Sequence, residues 1–228
     1  MITLYDLAFD KDLRPSPYCW RAKLALKHKG LTWRDEPCGF TEKQKIAFAE
    51  SQTYPVIHDG TKVVKDSWAI AEHLDTAYAD KPVFKSEMAL GYARFVSGWV
   101  DTAVHPALFV LIVGDLYDRV RPVDQAYFRE SRGKRLGTID FAGFQANARE
   151  KGLPALRAVL EPARRMLKDQ AFLAGQHPAY PDYALAGAFL WARVVSPLAL
   201  LETDDPVHAW RERMLDLYDG MGRKAKAA

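Results

Sequence analysis

The sequence predicts a small α/β domain followed by an all-α domain. Two observations lead to this prediction. In the first part of the chain, short segments of alternating apolar and polar residues flank an amphipathic helix pattern, which is typical of a strand-helix-strand unit. From residue 86 onward no segment has a convincing strand pattern, and apolar residues recur at helical spacing instead. We therefore expect two domains, 1–81 and 86–228.

The first part of the chain begins with the strand-helix-strand unit. Residues 3–7 alternate in polarity and predict a strand, and residues 31–37 predict a second one. Between them, residues 13–30 predict a loop that leads into a helix. Ser16 is a favourable N-cap, and Pro17 suits the first helical position, where no intrahelical N–H bond is lost. Such a crossover places the two strands parallel to each other.

A polar stretch and a hairpin follow. Residues 38–53 are irregular in pattern and predict a loop with at most one helical turn. Two short strands, 54–58 and 62–65, flank an Asp-Gly pair at 59–60, which favours a tight turn with a positive φ. Pro55 has no N–H group for a sheet, so it must lie at a sheet edge, at the first residue of its strand or in a special turn.

Helical patterns account for the rest of the chain. The pair Asp66-Ser67 predicts the capped start of a helix that ends near Tyr78. Pro106 is expected to kink or interrupt the first helix of the second domain, and residues 137–152 are so weakly patterned that they predict a loop or a lid. The helices of the second domain are predicted at 87–113, 124–135, 154–168, 182–195 and 207–219.

The composition excludes several classes of function. Of the 228 residues 49% are hydrophobic and 27% are charged, and the net charge of +3 is too small for a nucleic-acid footprint. The apolar stretches fall short of the roughly 20 residues that a membrane span needs, and the first residues lack the apolar core of a secretory signal. The two cysteines, Cys19 and Cys38, are too few for a disulfide framework or a metal cluster, and the histidines show no ligand spacing. We expect a cytoplasmic protein that binds no metal, nucleic acid or membrane.

The order of the elements and four short motifs resemble the glutathione transferase family, whose first domain is thioredoxin-like. Residues 16–19, Ser-Pro-Tyr-Cys, look like the Cys-Pro-Tyr-Cys active site of glutaredoxins with the nucleophilic cysteine replaced by serine. Residues 54–57 resemble the segment before the family's third strand, in which the proline is cis, and residues 66–67 resemble the pair that holds the γ-glutamyl end of glutathione. Residues 179–184 stand where the family has a capping box, but Ala179 replaces the usual cap, so we expect a weaker helix start there.

Further segments resemble the bacterial β-etherases, glutathione-dependent enzymes that cleave β-aryl ethers of lignin-derived aromatics. These segments are 2–7, 16–18, 20–21, 27–30, 39–41, 66–72, 160–162, 164–165 and 219–223. The resemblance to the transferase family implies that glutathione is a co-substrate and that its thiolate attacks a hydrophobic, aromatic electrophile. The resemblance to the etherases implies cleavage of a β-aryl ether. The family is usually dimeric, so a homodimer is also implied.

The catalytic residue implied by the resemblance is Ser16. The thiol of glutathione has a pKa of about 8.5, and lowering it by about two units takes roughly 2.7 kcal/mol. A helix N-terminus contributes about 0.3 to 1 kcal/mol and a hydrogen bond to a charged group about 1.5 to 3 kcal/mol, so together they suffice without a base. We therefore predict that Ser16 donates its hydroxyl to the glutathione sulfur, near the N–H groups of Tyr18 and Cys19, and is not itself a nucleophile. We expect helix capping and this contact with the sulfur to be alternative roles of the one Ser16 hydroxyl.

The resemblance also implies how glutathione is held. The backbone of Val56, next to a cis proline, pairs with the cysteinyl unit. Ser67 takes the γ-glutamyl carboxylate and Asp66 meets the γ-glutamyl amine. A lysine, Lys43 or Lys45, reaches the glycyl carboxylate. The predicted glutathione-binding residues are thus Tyr18, Lys43, Lys45, Pro55, Val56, Asp66 and Ser67. An apolar cleft between the domains is expected to hold the electrophile, with Tyr18, Trp99, His105, Phe109 and Val113 as candidate lining residues.

Two other functions fit the same residues. One is a glutaredoxin-like or deglutathionylating oxidoreductase that uses Cys19, which lies one helical turn after the usual position of the nucleophile. The other is a non-catalytic module that binds glutathione. The oxidoreductase requires a reactive thiol, whereas the transferase requires only the Ser16 hydroxyl.

Overall fold

Four strands form one mixed sheet near the start of the chain. They are β1 (Ile2–Leu7), β2 (Trp33–Cys38), β3 (Val56–Asp59) and β4 (Lys62–Lys65), in the spatial order β2-β1-β3-β4. β1 and β2 are parallel, as the strand-helix-strand pattern predicts, whereas β3 runs antiparallel to both β1 and β4. This computed structural model describes residues 1–227.

Two helices pack with the sheet. α1 (Pro17–His28) connects β1 to β2 and has Ser16 as its N-cap. α2 (Ser67–Ala77) follows β4 and begins at Asp66, whose carboxylate accepts hydrogen bonds from two N–H groups of the first turn at 2.8 and 3.2 Å. Both predicted helix starts are confirmed.

The predicted hairpin is present, but its turn lies one residue later than expected. Gly60 and Thr61 connect the two strands, and Gly60 has a positive φ of 61°. The Tyr54–Pro55 peptide is cis and comes immediately before β3. Pro55 therefore comes just before β3, an inner strand of the sheet, where its missing N–H is tolerated, and its carbonyl oxygen accepts a hydrogen bond from the N–H of Asp66 at 3.2 Å.

Beyond α2, the described residues up to 227 are organised as helices. These are α3 (Glu87–Trp99), α4 (His105–Arg119), α5 (Gln125–Leu136), α6 (Phe141–Val159), α7 (Glu161–Met166), α8 (Tyr180–Val195) and α9 (Pro206–Lys224). α8 lies at the centre, because it packs against α1, α3 and α4 and nearly all of its residues are buried. The predicted fold class, a thioredoxin-like α/β part followed by an all-α part, is confirmed.

A glycine sets the distance between α8 and α1. A Cβ atom at Gly187 would lie 2.4 Å from the backbone carbonyl oxygen of Pro17, which is too close for any side chain. The first turn of α1 is therefore held directly against the helical part of the protein. The position of Ser16 consequently depends on packing between the two parts of the chain.

The start of α8 differs from the expectation of a weak cap. Ala179 offers no polar side chain, but the buried carboxylate of Asp182 accepts hydrogen bonds from four donors. These donors are the N–H groups of Leu173, Ala174 and Ala179 and the indole of Trp210, at 2.7, 3.1, 3.2 and 2.9 Å. One carboxylate thus joins the helix start to the preceding loop and to α9.

The loop or lid predicted at residues 137–152 is wrong. The segment begins with a short turn and then enters α6, whose N-cap Asp140 accepts a hydrogen bond from the N–H of Gly143. α6 packs along α4 through a polar contact, since the buried Gln145 side chain accepts a hydrogen bond from the N–H of Gly114 at 2.9 Å. Only Phe141, Gln145 and Leu156 of α6 are buried, so apolar residues do not recur at every turn of the helix, which explains why the pattern did not indicate a helix.

Two further helix boundaries differ from prediction. Residues 154–168 do not form one helix: α6 continues through Pro154 to Val159, and α7 begins at Glu161 with Pro162 in its first turn, where proline is tolerated. The irregular stretch 38–53 contains the 3-10 helix Lys43–Ala49, which is longer than the single turn expected.

α3 and α4 belong to one continuous helix. A π-helical segment, Val100–Val104, joins them, and Pro106 lies in the first turn of α4 rather than at a kink. By length and composition alone this helix, Glu87–Arg119, could cross a membrane, with a mean hydropathy of 1.6 in its most apolar window, whereas the apolar stretches were expected to be too short for a span. Since 56% of that window is buried inside the protein, as in a core helix, this is a weak indication of a span.

Candidate active site

A cleft of about 700 Å³ opens beside the first turn of α1. Loops of the sheet part form one side, and α4, α5 and α8 form the other. Of the residues predicted from the sequence, those that line the cleft are Ser16, Tyr18, Lys43, Asp66, His105 and Phe109. The structure therefore brings together residues that are more than ninety positions apart in the chain.

Ser16 lies at the start of α1 and is only 5% exposed. Its Oγ accepts a hydrogen bond from the N–H of Cys19 at 3.1 Å. A hydroxyl has two lone pairs and one proton, so capping the helix uses a lone pair and leaves the proton free to donate. Helix capping and donation to a thiolate are therefore compatible, and the expectation that they exclude each other is wrong.

The backbone of the first turn adds a second donor. Pro17 has no N–H, and the N–H of Cys19 is directed to Ser16, so Tyr18 carries the first-turn N–H that helix geometry leaves without an intrahelical acceptor. The partial positive charge of the helix N-terminus acts at the same place. An anion at this position meets the Ser16 hydroxyl and the Tyr18 N–H together.

At the cis peptide Tyr54 lines the cleft, and the contact of the Val56 backbone with the cysteinyl unit stays a prediction. Val56 is paired with Tyr5 on one side and Lys65 on the other, so it has a neighbouring strand on both sides within the sheet. Pro55 and Val56 do not line the cleft, whereas Tyr54 does.

The two predicted lysines have different positions. Lys43 lines the cleft with its Nζ 4.4 Å from the ring centroid of Tyr54, and burial lowers the pKa of Lys43. Lys45 is directed away from the cleft, where its Nζ donates to the carbonyl oxygen of Pro37 at 2.9 Å and lies 3.3 Å from Glu42. Only Lys43 is therefore in a position to meet a ligand.

Asp66 and Ser67 differ in exposure and in whether they line the cleft. Asp66 is exposed and lines the cleft while it caps α2. Ser67 is 2% exposed and is not part of the cleft lining. The carboxylate of Asp66 is the acidic group available at this end of the cleft.

Part of the cleft lining is an aromatic wall, by which we mean Tyr18 of α1, His105 and Phe109 of α4, and Trp191 of α8. Its rings make successive contacts, with centroid distances of 5.4 Å from Tyr18 to His105, 5.6 Å from His105 to Trp191 and 6.3 Å from Trp191 to Phe109. Of the other predicted lining residues, Trp99 is partly buried outside the cleft and Val113 is completely buried in the core. Trp191 was missed because it lies in a helix whose apolar pattern indicated burial on all sides.

One residue of the aromatic wall, His105, has an imidazole side chain. Burial and, next, the charge of Arg21 lower the pKa of His105 to about 3, so this imidazole is neutral at physiological pH. Its Nδ1 lies 3.4 Å from the carboxylate of Asp101, which in turn pairs with the buried Arg21 at 2.6 Å. Asp101 lines the cleft from the π-helical segment and was not predicted, because nothing in the local pattern distinguishes it from a solvated helix residue.

Neither cysteine is exposed to the cleft. Cys19 is 1% and Cys38 0% exposed. Burial raises the pKa of the Cys19 thiol well above its usual value and raises that of Cys38 to about 11. Thiolates are the reactive form, so both groups are poor nucleophiles in the folded protein.

The two thiols are therefore expected to resist alkylation. Iodoacetamide at pH 8 should leave Cys19 and Cys38 unmodified in the folded protein, while both react after unfolding in guanidinium chloride, as measured by intact mass. Rapid modification of Cys19 without denaturant would contradict this expectation and would favour the oxidoreductase.

No metal site accompanies these residues in the described part of the chain. Among residues 1–227, no group of three or more His, Cys, Asp or Glu side chains is placed to hold a metal ion.

Known families match both parts of the chain. Residues 15–77 match the model of the glutathione S-transferase N-terminal domain, and residues 92–214 match that of the glutathione S-transferase C-terminal domain. Among curated proteins, glutathione S-transferase U22 of Arabidopsis thaliana is 23% identical over 193 residues, which cover 82% of this chain and 75% of that protein.

Solved structures share the fold. Glutathione transferase GSTFuA3 from Phanerochaete chrysosporium has a TM-score of 0.76 and 24% identity, covering 98% of this chain and 93% of its own. The glutathione S-transferase CsGST63524 of Ceriporiopsis subvermispora, solved in complex with glutathione, has a TM-score of 0.76 and 23% identity, covering 98% and 94%. At these identities the structural likeness shows the fold.

Proposed function

Because the chain belongs to the glutathione S-transferase family, we propose that it transfers glutathione to a hydrophobic, aromatic electrophile. The observation that carries this proposal is the position of Ser16. Its hydroxyl lies at a helix N-terminus, and Ser16 lines the same cleft as the aromatic wall. A relative of the same fold, from Ceriporiopsis subvermispora, was solved in complex with glutathione, which supports glutathione as the ligand.

The site can stabilise a thiolate without a base. The Ser16 hydroxyl, whose proton helix capping leaves free, and the Tyr18 N–H both belong to the N-terminus of α1 and can donate to one anion there. A charge-assisted hydrogen bond of about 1.5 to 3 kcal/mol and a helix contribution of about 0.3 to 1 kcal/mol together lower a thiol pKa by roughly two units. That shift makes most of the bound glutathione nucleophilic near neutral pH.

The rest of the cleft fits a zwitterionic tripeptide. Asp66 supplies a carboxylate for the γ-glutamyl amine, and Lys43 supplies a cation for the glycyl carboxylate. Tyr54, beside the cis peptide, lies between Lys43 and Asp66 in the sequence. It lines the same cleft. We propose that residues 1–81 hold glutathione in this way and that residues 86–228 supply the hydrophobic site.

The reaction is a substitution at carbon. The glutathione thiol loses its proton to solvent, the sulfur forms a C–S bond, and the leaving group departs with the electron pair of the bond that breaks. For a β-aryl ether that bond is C–O, and the aryloxide that leaves is protonated by water. We propose β-aryl ethers as substrates because of the resemblance to the etherases, and we expect a cytoplasmic homodimer, as is usual in the family.

Two measurements test the proposal. Calorimetry with glutathione should show binding at millimolar concentration or below, and a panel of β-aryl ethers and halo-nitroaromatics with glutathione should give conjugates of the expected mass. Absence of any binding would refute a glutathione-dependent function. Binding without turnover of any electrophile in the panel would favour the non-catalytic module instead.

Lys43 and Lys45 form a matched pair for the glycyl contact. Lys43→Ala is expected to weaken glutathione binding about 5- to 10-fold, because a partly buried cation on a carboxylate is worth roughly 1 to 1.4 kcal/mol. Lys45→Ala removes the same charge two residues away, outside the cleft, and should change the dissociation constant less than about twofold. Titration calorimetry measures both, and equal effects of the two substitutions would argue against a contact at Lys43.

A further inference from the structure

Two arginines of α5 extend the cleft beyond the aromatic wall. Arg132 and Arg135 are three positions apart, so they share one face of the helix, and both line the cleft. The guanidinium of Arg135 lies 4.9 Å from the ring centroid of Phe109, and that of Arg132 lies 5.2 Å from the ring centroid of Phe40. Both charges are therefore held against aromatic rings of the cleft.

Neither of these guanidinium groups has a counter-ion among residues 1–227. Arg132 donates a hydrogen bond of 3.0 Å to the hydroxyl oxygen of Ser131 and lies over the rings of Phe40 and Phe128, whereas Arg121 pairs with the carboxylate of Asp124 at 2.8 Å. Partial burial lowers the pKa of Arg132, so its charge is partly removed from water. A partly dehydrated cation without a counter-ion favours the binding of an anion.

The aromatic wall connects these cations to the reaction centre. From Arg135 the successive ring contacts lead through the wall to Tyr18, which is two residues from Ser16. A substrate ring that packs on this wall has one edge toward the thiolate and the other toward the guanidinium groups. The cleft is thus lined by the aromatic wall and, beside Phe109 and Phe40, by the two guanidinium groups.

We propose that the electrophile is an aromatic compound with an anionic group, such as a carboxylate, and that Arg132 and Arg135 bind this group. The proposal rests on the proposed function, because it names the substrate class of the same cleft. The competing occupant of the arginines is the glycyl carboxylate of glutathione. The two occupants differ in which ligand loses affinity when the arginines are replaced.

A matched pair of electrophiles tests the proposal. 4-Chloro-3-nitrobenzoate is anionic and its methyl ester is neutral, and both lose chloride with its electron pair when glutathione sulfur attacks the ring. The measured quantity is the ratio of kcat/KM for the acid to kcat/KM for the ester. Comparing this ratio between variants removes the difference in intrinsic reactivity of the two compounds.

We expect Arg135→Gln and Arg132→Gln each to lower the ratio about tenfold, near the low end for a charge-assisted hydrogen bond because water screens the guanidinium groups. Arg129→Gln is the control. Arg129 lies on the same helix, where it also stacks on a ring, Tyr117 at 5.3 Å, but it does not line the cleft. The acid-to-ester ratio of kcat/KM for Arg129→Gln should match that of the unmodified protein.

Two results would overturn the proposal. One is a ratio that is unchanged in both cleft variants. The other is a raised KM for glutathione with an unchanged ratio, which assigns the arginines to the glycyl carboxylate.

A binding experiment keeps this inference separate from the proposed function. Calorimetry of the glutathione-loaded protein with 4-nitrobenzoate and with its methyl ester needs no turnover. Preference for the acid that is lost in Arg132→Gln and Arg135→Gln supports the anion site even when neither chloride is consumed, in which case the transferase proposal alone fails. Equal affinity for acid and ester contradicts the anion site.

Discussion

Ser16→Ala is expected to lower kcat/KM for conjugation by about 10- to 150-fold, the equivalent of one hydrogen bond to a charged group. The Ser16 proton is the donor that helix capping leaves free, so its removal raises the energy of the bound thiolate. Ser16→Thr retains a hydroxyl and should retain most of the activity. The measurement is steady-state kinetics with saturating glutathione.

Ser16→Ala should also shift the pH dependence of the bound glutathione thiol in a defined direction. The hydroxyl lowers the pKa of bound glutathione because it stabilises the anion, so Ser16→Ala should raise that pKa by about one to two units. The ultraviolet absorbance of the bound thiolate, followed against pH, should therefore shift to higher pH. An unchanged titration would mean that Ser16 does not contact the sulfur.

Loss of a helix cap must be separated from loss of the donor. Ser86 is a matched control, since it caps α3 through the same kind of hydrogen bond, its Oγ accepting from the N–H of Ala89 at 3.1 Å, but it is exposed and outside the cleft. Ser86→Ala and Ser16→Ala should each cost about 0.5 to 2 kcal/mol of stability. Only Ser16→Ala should lose activity in the folded protein.

Asp182→Ala is expected to cost about 3 to 5 kcal/mol of the free energy of unfolding, the largest stability effect that we predict. Its carboxylate is completely buried and accepts from three backbone N–H groups and one indole. Alanine leaves all four donors without their acceptor in the core. Asparagine has nearly the same size but presents an N–H₂ group to donors, so it should not restore stability.

The measurement is the guanidinium chloride midpoint, followed by tryptophan fluorescence and by circular dichroism. Asp140→Ala is the control, because Asp140 caps α6 at an exposed position with one hydrogen bond, to Gly143. It should lose only about 1 kcal/mol. Similar midpoints for the two variants would show that the buried Asp182 carboxylate stabilises the fold no more than an exposed helix cap does.

Local features of the chain were predictable because they depend on neighbouring residues. The Ser16-Pro17 start of α1, the Asp66 cap of α2 and the parallel pairing of β1 and β2 follow from side-chain chemistry and periodicity over a few positions. The cis peptide at Pro55 was implied by resemblance to a family and is present. The role of Ser16 in catalysis stays a prediction.

Errors arose where burial did not follow apolar periodicity. α6 has a buried glutamine, Gln145, on the face that packs against α4, so the segment resembled a loop. A weak start of α8 was expected because Ala179 has no polar side chain. The start is held instead by the carboxylate of Asp182, whose hydrogen-bond donors include Trp210 of α9. Both contacts join residues about thirty positions apart, which a local pattern does not contain.

The sequence by itself determined the fold class, the family and the helix start that holds Ser16, because these depend on local pattern and on short motifs. Only the tertiary structure decided which side chains meet in the cleft: Lys43 rather than Lys45, and Trp191, Asp101 and the arginines of α5 in addition. The physical reason is that the face of a helix or loop that meets the cleft is set by packing between distant elements, such as the contact of Gly187 with Pro17.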